Sequence, residues 1–146
     1  WWHYYRVGLD TASKRPVELE LDYSFGDFYE GTRNSYSASV DLKPIKYLVF
    51  RAGYSLNQVR LPQGDFDTRL GYVRVQASFT PDLIWYNLVQ YDNVSDDLGY
   101  QSRITWEFRP GAKLFLVVNQ NIDRDGTDLT WQRTDVTMKV GVTLRF

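Results

Sequence analysis

Residues able to perform acid–base, nucleophilic or metal chemistry are few in this sequence and form no catalytic pattern. The 146 residues include no cysteine and a single histidine, His3. The absence of cysteine excludes disulfides, thiolate nucleophiles and cysteine-based zinc sites. A single histidine excludes most histidine metal sites and argues against a Ser-His-Asp triad. We therefore predict that this chain performs no catalysis and carries no cofactor.

One acidic run has the composition of a calcium-binding loop. Asp123, Asp125 and Asp128 surround a glycine at position 126. An EF-hand loop would need a third acidic ligand before its glycine and a Glu at its twelfth position, where Thr134 stands. Asp-Gly is also a common turn former. The pattern favours a turn over a metal site.

Most charged residues instead alternate with apolar ones, which indicates the elements that position them. Between residues 17 and 25, apolar side chains occupy every odd position, and polar or acidic side chains occupy the even positions. This period of two predicts a β-strand with one apolar face and one charged face. Similar segments follow at 36–42, 48–56, 66–79, 83–92, 100–109, 114–122 and 136–146, and a first strand covers about 2–10. In residues 66–79 the apolar residues change from even to odd positions near Tyr72 and Val73, which predicts a β-bulge.

These segments make about eight or nine strands, and no segment keeps a helical apolar period over three turns. Short, mostly proline-bearing connections at 11–16, 43–46, 80–82 and 109–113 alternate with longer polar ones at 26–34, 58–66, 93–99 and 123–134. We predict a single all-β domain over residues 1–146, an antiparallel up-and-down barrel with tight turns at one end and loops at the other.

The aromatic residues, 16% of the chain, are sorted toward the strand ends, while mid-strand apolar positions are aliphatic. Two aromatic belts around an aliphatic band are typical of a transmembrane β-barrel. The belt nearer the tight turns comprises Tyr47, Phe79, Trp85, Trp106, Phe108 and Phe115, and the belt nearer the loops comprises Tyr36, Tyr54, Tyr91 and Tyr100. The alternative is a soluble, lipocalin-like ligand-binding barrel, which would turn its apolar face inward.

In a membrane barrel the polar face would line the lumen. The charged residues expected there are Glu18, Glu20, Asp22, Asp41, Arg51, Arg103, Glu107, Lys139 and Arg145. Charges in such a place must be paired or hydrated. The acidic ladder at 18–22 would either pair with Arg51, Arg103 or Lys139, which we favour, or lower the barrier to cations in a pore. The net charge of −1 gives no footprint for nucleic acid.

The last eight residues carry a further signal. Lys139, Gly141, Leu144 and Phe146 resemble the C-terminal assembly signal of bacterial outer-membrane proteins. This resemblance implies insertion into outer-membrane lipid by the barrel-assembly machinery. It also implies that the C-terminus lies at the periplasmic rim, with the proline turns.

Residues 79–123 resemble one family in particular, in the motifs at 89–93, 106–111 and 114–117, and residues 9–27 also fit. The family is that of bacterial outer-membrane proteins in which a carbohydrate-binding family 9-like domain precedes a C-terminal β-barrel domain of unknown function. Some members are described as membrane-associated hydrolases. The resemblance therefore implies a barrel, and leaves open an outer-membrane hydrolase whose active site lies elsewhere in a longer chain.

The strand count bears on completeness, because single-chain bacterial barrels have even numbers of strands. A count of nine predicts that the chain is the C-terminal part of a larger barrel, closed by a preceding segment or by other chains, unless the count is wrong by one. The expected role is a membrane-embedded anchor or passage with a charged lumen.

Overall fold

The structure, a computed structural model, describes residues 1–12, 15–125 and 128–143, without the side chains of residues 123–125, 128–130 and 132. Nine strands follow one another along the chain. They are β1 (Tyr4–Asp10), β2 (Val17–Phe28), β3 (Gly31–Ile45), β4 (Leu48–Leu61), β5 (Gly64–Thr80), β6 (Leu83–Asp92), β7 (Asp97–Arg109), β8 (Ala112–Asp125) and β9 (Asp128–Val142). The described residues contain no helix with the length and apolarity needed to cross a membrane.

The strands form one antiparallel sheet in the order of the sequence, from β1 to β9. Each strand pairs with its neighbour in the chain, which confirms the predicted all-β, up-and-down arrangement. In the described part of the chain β1 and β9 are not paired, so the sheet is open.

The register sorts the side chains onto two faces, because directly paired residues of neighbouring strands share a face. One row crosses seven strands and contains Leu19, Val40, Ala52, Val73, Val89, Tyr100 and Gln120. The adjacent row contains Glu18, Asp41, Arg51, Arg74, Leu88, Gln101 and Asn119. We call the face of the first row the apolar face and that of the second row the charged face.

The sheet has a single layer and encloses no hydrophobic core among the described residues. The only apolar residues buried there are Val59 and Ala112. On the apolar face, Val73 is 49% exposed, Val140 56% and Met138 70%. A sheet with one apolar face requires a second apolar layer or an apolar medium against it.

The connections at one end of the sheet differ from the prediction. Residues 26–34 and 58–66 were expected to be loops, but β2–β3 and β4–β5 remain paired up to two-residue turns at 29–30 and 62–63. Of the predicted loop at 93–99, only 93–96 connects strands. The prediction was wrong because polar residues such as Asn34, Gln58 and Asp67 occupy the apolar-face positions here, so the alternation ends before the pairing does.

We name the two ends of the sheet after their connections. The Tyr29 end contains the connections at 29–30, 62–63 and 93–96, and the Pro110 end contains those at 11–16, 46–47, 81–82 and 110–111. In the last of these turns Gly111 has a φ of +79° directly after Pro110, the combination that a type II turn requires.

The predicted bulge near Tyr72 and Val73 is absent. β4 and β5 pair in continuous register from Leu48–Ala77 to Leu61–Gly64, and the register of β5 shifts instead between Ser78 and Thr80, against β6. The apolar parity switches because Leu70 and Tyr72 are apolar or aromatic residues on the charged face.

Candidate functional site: the charged face and the aromatic ends

Five acidic side chains on the charged face have basic partners, among them Asp135, which lies 2.8 Å from Arg133 Nε. Arg6 Nη2 lies 2.7 Å from Asp22, Lys43 Nζ lies 3.3 Å from Glu18, and Lys113 Nζ lies 3.0 Å from Glu107. Asp41 pairs with Arg51. Glu20 accepts a hydrogen bond from Ser39 Oγ at 3.3 Å. The acidic residues at 18–22 were expected to pair with Arg51, Arg103 or Lys139. Glu18 and Asp22 do form ion pairs, but with Lys43 and Arg6.

Asp41 and Arg51 form the most enclosed of these pairs. They are direct cross-strand partners of β3 and β4, and Nε and Nη2 of Arg51 donate to the two carboxylate oxygens of Asp41. The Asp41 side chain is only 7% exposed, while that of Arg51 is 37% exposed. Such a bidentate pair fixes both side chains against the sheet.

Three guanidinium groups on the same face lie against aromatic rings and form no ion pair with a described carboxylate: those of Arg33 (over Phe28), Arg74 and Arg103. Arg74 lies 5.7 Å from the centroid of Tyr86 and 6.0 Å from that of Tyr72, and Arg103 lies 5.0 Å from that of Tyr86. Nε of Arg74 is buried and lacks a hydrogen-bond partner. Arg74 was not predicted to lie on the charged face because a bulge was predicted beside it.

A polar depression lies on the charged face near the Tyr29 end. Its volume is about 420 Å³, and its lining includes Gln90, Gln101, Asn119 and Asn121 around Gly99. Gln101 Nε2 donates to Asn119 Oδ1 at 2.9 Å. The charged face therefore offers water both ionic and amide groups.

The aromatic residues mark both ends of the apolar face. Tyr36, Tyr54, Tyr91 and Tyr100 lie on it toward the Tyr29 end, and Trp85 and Trp106 toward the Pro110 end. Tyr47 lies in the 46–47 turn, while Phe79 contacts Trp85 and Phe108 contacts Trp106, with ring centroids 6.5 and 5.8 Å apart.

Phe115 does not belong to this set. Its cross-strand partners are Thr105 and Lys139, so it lies on the charged face. The first residues of β8 are apolar on both faces, and only the pairing with β7 assigns them. The prediction that Phe115 belongs to the aromatic belt on the lipid side is therefore wrong.

Two polar residues on the apolar face are paired with aromatic side chains. Asn87 and Ser102 are direct partners of β6 and β7. Trp85 Nε1 donates to Ser102 Oγ at 3.0 Å, and Tyr100 OH donates to Asn87 Oδ1 at 3.1 Å. Each ring thus supplies the hydrogen bond that water would otherwise provide.

At the Tyr29 end, the segment before β1 is held by Asp27. The backbone N–H of His3 donates to Asp27 Oδ2 at 2.9 Å, and this bond keeps the pKa of Asp27 below its usual range. Both groups lie beyond Phe25, outside the aliphatic band. His3 contacts a carboxylate and no described nucleophile.

The remaining predicted residues are placed only in part. Lys139 lies exposed on the charged face, and Gly141 pairs with Lys113. Leu144, Arg145 and Phe146 lie outside the described residues, as do the side chains of Asp123, Asp125 and Asp128. Among the side chains that are described, no group of three or more His, Cys, Asp or Glu could hold a metal ion.

Comparison of the sequence with models of known protein families and with curated proteins finds no match. The fold is an open up-and-down antiparallel sheet of nine described strands. Its two faces differ sharply in polarity.

Proposed function

We propose that this chain forms part of an outer-membrane β-barrel, with its apolar face toward lipid and its charged face toward an aqueous lumen. Its role is a membrane-embedded anchor or passage, and it performs no catalysis itself. The observation that carries this proposal is the uncovered apolar face, since a single-layer sheet buries almost none of its large apolar side chains. Outward apolar and inward polar residues are the pattern of transmembrane barrels.

The dimensions support lipid as the apolar medium. Strands β2 to β9 contain 10 to 17 residues, and a tilted strand needs about 9–11 residues to cross a bilayer. Aromatic rings lie toward both ends of the apolar face, which matches the preference of tyrosine and tryptophan for the two membrane interfaces. A second protein layer would not require rings at both ends.

The topology limits how such a barrel closes. In an up-and-down sheet of nine strands, β1 and β9 run in the same direction. Closure with antiparallel pairs alone needs an odd number of additional strands, from the same polypeptide or from another chain. Lipid cannot satisfy the backbone groups of an open edge, so closing strands are part of the proposal.

Two resemblances of the sequence support the proposal, one to the outer-membrane assembly signal and one to the barrel domain of the carbohydrate-binding family 9-like proteins. The proposal places the Pro110 end and the C-terminus at the periplasmic rim. The barrel-assembly machinery and outer-membrane lipid are the partners. A hydrolase activity would belong to other parts of a longer chain.

The absence of cysteine makes the chain suited to a direct test of the two faces. Ser37 and Ala38 are adjacent on β3, both small and exposed, and lie on the charged and the apolar face respectively. We would introduce Ser37→Cys and Ala38→Cys separately, reconstitute each variant into lipid vesicles, and measure reaction with a membrane-impermeant maleimide. Val136→Cys and Thr137→Cys on β9 provide a second pair.

We expect Ser37→Cys and Thr137→Cys to react, and their apolar-face neighbours to react only after unfolding. Equal reaction of both members of each pair would overturn the proposal. Protection of Ala38→Cys in a chain that stays monodisperse without detergent would instead support the soluble, lipocalin-like barrel.

A further inference from the structure

We propose that Arg74 and Arg103, with the Tyr86 ring between them, bind an oxyanion such as a phosphate or carboxylate group on the charged face. The inference rests on the proposed function in one respect, that the charged face is the side reached by water and solutes. It goes beyond an anchor or passage by assigning a ligand class to a particular position.

The geometry brings the two arginines to one ring from two strands. Arg103 is the direct cross-strand partner of Tyr86, and Arg74 reaches the same ring diagonally from β5. Their guanidinium carbons lie 5.0 and 5.7 Å from the ring centroid. Stacking on an aromatic ring restrains a guanidinium while leaving its edge free for a ligand.

Arg74 and Arg103 are among the basic groups of this face that form no ion pair with a described carboxylate, together with Arg33 and Lys139. Among the described residues, Arg74 and Arg103 alone share one aromatic ring. Arg6, Lys43, Arg51 and Lys113 are each paired with a carboxylate on this face. Arg74 and Arg103 contact rings instead, and Arg74 also lies beside the Asp41–Arg51 pair. The buried Nε of Arg74 is the one enclosed side-chain polar atom, among the described residues, that has no hydrogen-bond partner. Such an atom in a folded protein calls for a bound water or ion.

Apolar residues lie on one side of each arginine, whereas the other cross-strand partner of Arg74 is Arg51, which is paired with Asp41. Leu88 pairs with Arg74, Val117 pairs with Arg103, and Val49 pairs with Gln76 on the adjacent row, all on the charged face. A charge beside such residues is less screened than one in bulk water. Guanidinium groups match the planar, two-oxygen edge of carboxylate and phosphate, which favours oxyanions over halide ions.

The test measures binding of inorganic phosphate to the purified full chain in detergent micelles, by isothermal titration at constant ionic strength maintained with chloride. Arg74→Gln and Arg103→Gln are the test variants. Arg33→Gln is the matched control, since Arg33 lies on the same face, over the ring of Phe28 at 5.7 Å, and its Nη2 donates a hydrogen bond to Asn57 at 2.8 Å. Circular dichroism checks that each variant is folded.

We expect saturable binding by the original chain and by Arg33→Gln, and a loss of about tenfold or more in affinity for each test variant. Arg103 is exposed and outside every ion pair of the described residues, so Arg103→Gln remains informative if Arg74→Gln does not fold. Unchanged affinity in Arg103→Gln, or phosphate binding that chloride displaces at equal ionic strength, would overturn the assignment.

This outcome can be separated from that of the proposed function. Binding in micelles requires no bilayer and no closed lumen, whereas the cysteine pairs report on lipid contact alone. A chain that fails the cysteine test but binds phosphate through Arg74 and Arg103 has an oxyanion site on another kind of β-protein.

Discussion

The ring of Tyr72 lies directly over Gly53, its cross-strand partner on the charged face. A methyl group on Gly53 would come within 2.5 Å of the ring. The glycine thus provides the space in which the tyrosine lies flat, beside Arg74. An aromatic side chain covering a glycine of the neighbouring strand is a recurrent way to pin strand register.

Replacing Gly53 with alanine should therefore displace Tyr72 and destabilise the sheet by about 1–3 kcal/mol, the usual cost of overpacking. Gly71→Ala is the matched control, because a methyl group there would meet only Tyr54, at an ordinary 3.8 Å. Urea unfolding in lipid vesicles measures both. Equal unfolding midpoints for the two variants would contradict the role given to the pair.

The Asp41–Arg51 pair predicts a second difference. Asp41→Asn should lower the free energy of unfolding by about 1–3 kcal/mol, because it leaves Arg51, which lies beside Arg74, without its carboxylate. The corresponding change at the more exposed Lys43 pair, Glu18→Gln, should cost about 0–1 kcal/mol. Urea unfolding of both variants makes the comparison. A larger loss in Glu18→Gln than in Asp41→Asn would refute the ranking.

The hydrogen bond between Trp85 and Ser102 distinguishes lipid from water on the apolar face. In lipid, Ser102→Ala should lower the free energy of unfolding by about 1 kcal/mol, because nothing replaces Ser102 as the hydrogen-bond partner of the Trp85 indole N–H. Ser55→Ala on the charged face should cost close to nothing, since water hydrates that face. Unfolding experiments in vesicles give both values. If the two alanine variants were equally stable, the apolar face would not be in lipid.

Acidification should release the N-terminal segment from β2. Because the pKa of Asp27 is lowered in the folded chain, its carboxylate stabilises the contact with His3 above the usual aspartate pKa of about 4. That contribution is lost as the pH falls through the lowered value. The protection factor of the His3 amide, obtained from hydrogen exchange followed by nuclear magnetic resonance and corrected for the intrinsic exchange rate at each pH, should fall over this range. In Asp27→Asn, the protection factor should show no such fall.

The turn at the Pro110 end gives a prediction about backbone conformation. Gly111→Ala should destabilise the β7–β8 hairpin by about 1 kcal/mol, because alanine does not readily adopt a φ of +79° and its methyl would lie 3.0 Å from the Thr143 carbonyl oxygen. Gly141→Ala, whose methyl meets no atom within 4 Å, is the control. Thermal unfolding that is alike for the two variants would count against this account.

Alternation in the sequence was sufficient to predict the strands, their antiparallel order and the two faces, since it is the direct signature of a sheet with one apolar face. It failed where the pattern was weak. Asn34 and Gln58 are polar but occupy apolar-face positions where β3 and β4 are still paired. The ends of these strands were therefore predicted to be loops. Phe115 and Tyr72 lie on the charged face, and only pairing with the neighbouring strand assigns them.

The same limit applies to the candidate site. Individual charges such as Asp41 and Arg51 could be placed on the correct face from parity alone. Their partners could not, because pairing depends on which residues lie opposite each other across two strands. Arg74 could not be assigned to a face because the apolar residues beside it change from even to odd positions. Its contact with Tyr86 is diagonal between β5 and β6 and depends on the register of these strands.

The strict meander has a consequence for how the chain acquires its structure. Within the described residues, each strand pairs only with the strands next to it in sequence, from β1·β2 through β8·β9. Stability in such an array is approximately a sum of nearest-neighbour terms, and order can propagate from one unit to the next, as in repeat proteins. The chain can therefore be assembled hairpin by hairpin, and a defect such as Gly53→Ala will be felt first by the strands beside it.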